Sequence, residues 1–116
     1  MVHDLAPSLE FYVDSLGFEV VEQWGPAFAM IKKGDDVVWL SGPQTSAAKQ
    51  MPDGSQPVPG GWNRVVVQVD DLDSVYENLK SKCAKFRNEP ISGPGGKQVL
   101  VEDPSGNCVE LFESRD

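Results

Sequence analysis

The chain has 116 residues, 40% of them hydrophobic and 24% charged, a globular make-up that suits one compact domain or two small repeats sharing a core. A net charge of −8 argues against nucleic acid and anionic membrane as partners, and is compatible with a cationic small molecule. No apolar run approaches the roughly 18–20 residues of a membrane span and no signal peptide is evident; the widely spaced Cys83 and Cys108 make neither a disulfide framework nor a zinc site, so a reduced cytoplasmic setting is expected.

Met1-Val2-His3 reads as the tail end of a strand. Asp4 then caps a helix with Pro7 in its first turn, where the missing N–H does no harm. Leu5, Leu9, Tyr12 and Leu16 follow helical spacing, and Gly17 suits a left-handed stop. Strands are expected over 18–23, 27–32 and 37–41, with turns at Trp24-Gly25-Pro26 and Lys33-Gly34-Asp35-Asp36. The third strand would place Val37, Trp39 and Ser41 on one face.

Residues 42–61 differ in kind, being rich in Pro, Gly, Ser and Gln and lacking periodicity. A loop of that length in a small domain reads as a linker or a lid.

Trp62 opens the second half. A strand over 64–69 puts Arg64, Val66 and Gln68 on one face and Val65, Val67 and Val69 on the other. Asp71 caps a second helix with the stripe Leu72, Val75, Tyr76, Leu79 and Cys83. A weak strand over 86–91 is interrupted by Pro90, and Ser92-Gly93-Pro94-Gly95-Gly96 is a turn. Residues 99–112, VLVEDPSGNCVELF, close the chain as a hairpin, with Pro104 presetting the turn and Gly106 closing it. Cys108, Glu110 and Phe112 then share one face. A mid-strand carboxylate between valine and leucine is costly to bury alone, so Glu110 needs water, an ion pair or a ligand.

The halves repeat: Val2-His3-Asp4-Leu5 corresponds to Val69-Asp70-Asp71-Leu72 at an offset of 67. The expected fold is α+β, two βαβββ modules with the first strand of the first module truncated. The first module spans 1–41, the linker or lid 42–61, and the second module 62–116. Helices on one face of each curved sheet would leave the other faces to enclose a cavity. The truncated strand would leave the strand carrying Trp39 with an open edge, which a partner chain or the 42–61 loop is expected to cover.

VHDLAPSLEFYVDSLGFEVV, VVVQVDDLDSVYENL and VEDPSGNCVELFE, in this order, resemble the vicinal oxygen chelate superfamily across the whole chain. That family includes glyoxalase I, extradiol dioxygenases, fosfomycin-resistance enzymes and bleomycin-resistance proteins. Its enzymes hold one divalent metal with side chains from the first and last strands of each module. By that resemblance the closing-strand ligand matches Glu110. Arg64 stands where a histidine is usual, Trp39 where a glutamate is frequent, and the remaining position precedes Met1. His3, the one histidine, lies too close to the helix. A catalytic site needs about three protein ligands, and a permanent guanidinium repels a metal, so no metal and no other cofactor is expected.

The resemblance is therefore closest to the metal-free bleomycin-resistance type. It implies a cytoplasmic homodimer that binds a small organic molecule, a cationic drug in the antibiotic-resistance members. Phe28, Met30, Trp39 and Phe112 would supply apolar surface, and Arg64, Gln68 and Glu110 would orient the ligand. The bland alternatives stay open: a simple Arg64–Glu110 pair, and aromatic side chains that fill core volume. Trp24 and Trp62 are expected to serve surface or interface packing rather than to anchor a lid. Two rival functions remain, a metal-dependent lyase or dioxygenase using Glu110, and a metal-free enzyme in which Glu110 is the general base. Cys83 falls where relatives often have a helix-ending glycine; a left-handed backbone there would cost about 1 kcal/mol, and a redox role is a second reading. Cys108 is expected to be structural.

Overall fold

The computed structural model describes residues 1–115 and divides into two compact units, Met1–Pro59 and a second beginning at Gly60. The first opens with helix α1 (Leu5–Leu9), whose cap Asp4 accepts from the Ala6 N–H at 3.4 Å. Strands β1 (Glu19–Trp24), β2 (Phe28–Lys33) and β3 (Asp36–Ser41) follow as an antiparallel sheet in the order β1-β2-β3. Ala29, Ile31 and Leu40 project to the buried side, as do Leu5, Tyr12, Leu16 and Phe18. Removing these apolar groups from water is the main stabilising term of the unit.

Helix α1 is not the single α-helix that the spacing predicts. After Leu9 the chain winds as a π-helix over Glu10–Ser15. The repeat supplies a reason. From cap to left-handed stop the first module runs Asp4 to Gly17 (φ +82°), and the second runs Asp71 to Cys83 (φ +61°), one residue fewer. A π turn, with its i→i+5 bonds, absorbs the extra residue; the Leu16 N–H reaches the Phe11 carbonyl at 3.1 Å. The buried stripe shifts with it. Phe11 becomes core and packs edge-on against Tyr12 at 5.0 Å, whereas Leu9 is only half-buried.

In the second unit, β4 (Arg64–Gln68) leads into helix α2 (Leu72–Ser81). Then come β5 (Lys85–Phe86), β6 (Ile91–Gly93), β7 (Gly96–Glu102) and β8 (Cys108–Ser114). The sheet runs β4-β8-β7-β5, with β6 paired to β7 and β4 parallel to β8. The weak strand expected over 86–91 is two short strands, split where Pro90 cannot donate. Val67, Val69, Val99, Val101, Val109 and Leu111 are buried, as are Leu72 and Leu79 of α2. Cys83 lies beyond the helix and is exposed, so it does not belong to the predicted stripe. Its backbone is left-handed, with φ +61°. Replacing Cys83 with glycine is expected to stabilise the protein by about 1 kcal/mol, read as a rise of about 4 °C in melting temperature.

Asp71 caps α2 through the Ser74 hydroxyl (2.7 Å) and the Ser74 N–H (3.2 Å). Those bonds, the side-chain one first, hold its carboxyl below the usual carboxylate range. The folded pKa is thus below the unfolded one. The cap's contribution is complete above the unfolded value and is lost as pH falls through the folded one. Amide protection in the first turn of α2 is expected to weaken below about pH 4, and Asp71→Ala should abolish that dependence.

The 42–61 segment is more ordered than its composition suggests. It contains a 3-10 turn at Ser46–Ala48 and is tied internally by Gln56 Nε2 to the Ala48 carbonyl (2.6 Å) and Met51 N–H to the Ser55 carbonyl (2.8 Å). Among the described residues its backbone makes no hydrogen bond to the outer edge of β3. Gly42 N–H donates to the Ala27 carbonyl, so even-numbered positions of β3 face β2, and the backbone groups of Val37 and Trp39 face outward. Val2 N–H donates to the Ser41 carbonyl on that outer edge at 2.9 Å.

Candidate functional site

The candidate residues fall into one patch on each unit. On the first, strand alternation and antiparallel register bring three of them onto the sheet face opposite the core. Phe28 pairs with Ser41, and Met30 with Trp39. The Phe28 and Trp39 rings meet edge to face with centroids 5.5 Å apart. Phe28 and Met30 are half-buried, while Trp39 is 62% exposed. An indole that open on a sheet face is not core filling. It is available to a ligand or a partner.

The sequence assigns Trp24 to surface or interface packing. It stands opposite Phe28 at the end of β1, with ring centroids 5.3 Å apart, and so continues the same aromatic row. The sequence signal for it was weak because Trp24 borders a Gly-Pro turn and its strand ends one residue later than predicted.

On the second unit, parallel pairing sets Arg64 opposite Cys108, Val66 opposite Glu110, and Gln68 opposite Phe112. Arg64 Nε donates to Glu110 Oε1 at 3.1 Å. The Glu110 side chain is 11% exposed and that of Arg64 44%. The pair is therefore lopsided, with a nearly buried anion held by a cation that still meets water. Gln68 is exposed and Phe112 half-buried beside them. Cys108 is buried, as its structural reading requires.

Arg87 was missed altogether. Its guanidinium donates to Glu102 Oε2 (3.0 Å), the Gly61 carbonyl (3.0 Å) and the Gly106 carbonyl (3.1 Å), and it lies 4.4 Å from the centroid of the Trp62 ring. Gly60 N–H adds a bond to Asn107 Oδ1 at 2.7 Å. The cluster fixes the chain entering β4 against the β7–β8 turn, so Trp62 is a clamp rather than a lid anchor. It joins residues 26 positions apart, which no local pattern shows.

The repeat also places Trp39 and Glu110 in equivalent positions of their own modules. Val2 N–H to the Ser41 carbonyl (2.9 Å) has its counterpart in Val69 N–H to the Phe112 carbonyl (2.8 Å). Trp39 and Glu110 each lie two residues before the acceptor, so one module offers an indole where the other offers a carboxylate. Tested against a divalent metal, these donors do not fit. The indole supplies no ligand atom, and an oxygen of the carboxylate is engaged by a guanidinium. Among the described residues no group of three or more His, Cys, Asp or Glu side chains is placed to hold a metal ion. Nor, among them, is any helix long and apolar enough to cross a membrane.

Comparison with known proteins decides the family. Residues 1–111 match the model of the Glyoxalase/Bleomycin resistance protein/Dioxygenase superfamily. The chain belongs to that superfamily. A superfamily member from Sphaerobacter thermophilus DSM 20745 is 29% identical, with a TM-score of 0.73 over 98% of this chain and 91% of that one. A lactoylglutathione lyase from Agrobacterium tumefaciens is 24% identical, with a TM-score of 0.72 over 97% and 87%. TnmS3, an antibiotic binding protein from Streptomyces sp. CB03234, is 23% identical, with a TM-score of 0.70 over 97% and 88%. The last two likenesses concern the fold alone. Membership of the glyoxalase/bleomycin resistance superfamily accounts for the βαβββ repeat. It leaves the choice between metal-dependent catalysis and binding to the residues themselves.

Proposed function

We propose that this superfamily member binds a small organic molecule and acts by binding, without metal or other cofactor. One observation carries the reading: Trp39, at the place equivalent to Glu110, is an exposed indole set edge-on against Phe28. Phe28, Met30 and Trp39 then supply apolar contact. On the second unit, Arg64, Gln68, Glu110 and Phe112 supply the polar and apolar groups that orient a ligand. That TnmS3 is an antibiotic binding protein supports this use of the fold, and makes drug sequestration one form the function takes.

The lyase or dioxygenase rival lacks donors. The rival with Glu110 as general base meets a carboxylate already engaged by Arg64. A homodimer, the assembly expected from the family resemblance, is part of this reading. The chain's two free cysteines support a reducing, cytoplasmic setting.

The test is metal analysis of protein purified without chelators, beside tryptophan fluorescence titration against a panel of organic compounds and sedimentation equilibrium. Saturable quenching in metal-free dimers is the expected result. Stoichiometric nickel, zinc, iron or manganese would sink the metal-free reading, and a monomeric mass would sink the dimer.

A further inference from the structure

Two arginines and two buried carboxylates of the second unit are used in opposite ways. Arg87 commits Nε, Nη1 and Nη2 to Glu102 and to the Gly61 and Gly106 carbonyls, and its side chain is 13% exposed. Asp103 is equally engaged: Oδ1 accepts from the Ser105 and Asn107 N–H groups and Oδ2 from Asn107 Nδ2, each at 2.9 Å. Arg64 and Glu110 meet through Nε and Oε1 at 3.1 Å. Among the described residues, Arg64 Nη1 and Nη2 donate no hydrogen bond and Glu110 Oε2 accepts none. Nor, among them, does any fully enclosed side-chain nitrogen or oxygen lack a partner, so Oε2 reaches the surface although Glu110 as a whole is buried. A carboxylate held so far from bulk water with an unengaged oxygen is costly unless something donates to it.

We propose that the Arg64–Glu110 pair receives a zwitterionic headgroup, the ligand's carboxylate on the Arg64 Nη1/Nη2 fork and its ammonium on Glu110 Oε2, and that the ligand is a free amino acid with an apolar side chain. The inference rests on the reading of the chain as a binder of small organic molecules, and it names the class that the second patch takes. The electrostatics favour the two charges together. A lone anion on the fork also meets the Glu110 carboxylate, and a lone cation on Oε2 also meets the guanidinium. Each makes one attractive contact and suffers one repulsion. A zwitterion makes both attractive contacts and leaves the total charge of the site unchanged.

The residue types suit that task. Hydrogen bonds between ionised groups are the strong ones, and the planar fork of a guanidinium matches a carboxylate. Glu110 Oε1 holds Nε and so fixes the direction in which the fork points. Apolar surface lies beside the charges. Exposed Val66 stands opposite Glu110 in the register, and half-buried Phe112 is two residues further along β8. Both offer contact to an apolar side chain carried by the headgroup.

The test uses leucine and three relatives of its shape: 4-methylpentanoate, which lacks the ammonium; 3-methylbutylamine, which lacks the carboxylate; and N-acetylleucinamide, which carries neither charge. Calorimetric titration at neutral pH is expected to show leucine binding about tenfold or more tighter than each of the others. Arg64→Lys keeps the positive charge but removes the fork, and should erase most of leucine's advantage over 3-methylbutylamine. Glu110→Gln should erase most of its advantage over 4-methylpentanoate. Each variant is read as a ratio of two ligands on the same protein, which a loss of stability does not imitate; should neither variant fold, the ranking on the unaltered protein decides alone. No advantage for leucine over any one of its three relatives would overturn the proposal, as would ratios unchanged in both variants. If none of the four binds while the compound panel still quenches tryptophan fluorescence, the headgroup proposal fails and the organic-binder reading stands. If the panel gives no binding either, both fail.

Discussion

Replacing Gly96 with alanine is expected to destabilise the protein by about 3 kcal/mol, a large share of the total for a domain of this size. Gly96 has φ +148° and opens β7 directly opposite Ser114 of β8. A β-carbon there would fall on the carbonyl oxygen of Glu113, and would lie 3.0 Å from the carbonyl carbon and 3.2 Å from the Ser114 Cα. All three atoms are backbone, so nothing flexible can give way. Either β7 and β8 separate at that end or the Gly93–Gly96 hairpin distorts. Urea unfolding should show a lower midpoint at unchanged slope. A loss under about 1 kcal/mol would mean that the two strands part there without penalty. The same strands carry Glu110 and Phe112, so the effect would reach the second patch.

Arg64→Leu is expected to cost about 2–3 kcal/mol, while the double variant Arg64→Leu with Glu110→Leu should recover most of it. The single change leaves a carboxylate, on a side chain only 11% exposed, without its cation beside Val66 and Leu100. The figure is set below the roughly 3–5 kcal/mol of a fully buried broken pair because the Arg64 side chain is 44% exposed and screened by water. Removing both charges leaves apolar groups on an already apolar strand pair. If Arg64→Leu is neutral, Glu110 is reaching water some other way. It would then be free for catalysis or for a ligand, and the general-base reading would return.

Local chemistry carried the fold into the sequence. Asp4 and Asp71 cap their helices through their own side chains, as the residue types predict. The Asp103–Asn107 turn is where it was expected, with the buried Asp103 carboxylate accepting from the Ser105 and Asn107 N–H groups at 2.9 Å each. Strand alternation placed Phe28, Met30 and Trp39 together, and likewise Arg64 and Glu110. What the sequence did not show depends on tertiary geometry. The π turn follows from a one-residue excess that leaves the hydrophobic period nearly intact. Trp24 joins the aromatic row only through the β1–β2 register, which includes an irregularity between Val20 and Glu22. Arg87 acts through carbonyls far away in the chain. Composition alone marked 42–61 as structureless, because side-chain-to-backbone bonds such as Gln56 to Ala48 leave no periodic trace.

The three tryptophans allow one measurement to test the central claim that an organic ligand is held by the aromatic face of the first unit without a metal. Trp24 and Trp39 belong to that face, and Trp62 is stacked on Arg87 in the second unit. Each indole N–H gives its own cross-peak in a nitrogen–proton correlation spectrum. A mixture of planar heteroaromatic compounds is added to protein held in chelator. Saturable shifts of the Trp24 and Trp39 indole peaks, with Trp62 unmoved, are the expected result. Shifts that occur only after a divalent metal is restored, or that spare Trp24 and Trp39, would contradict it.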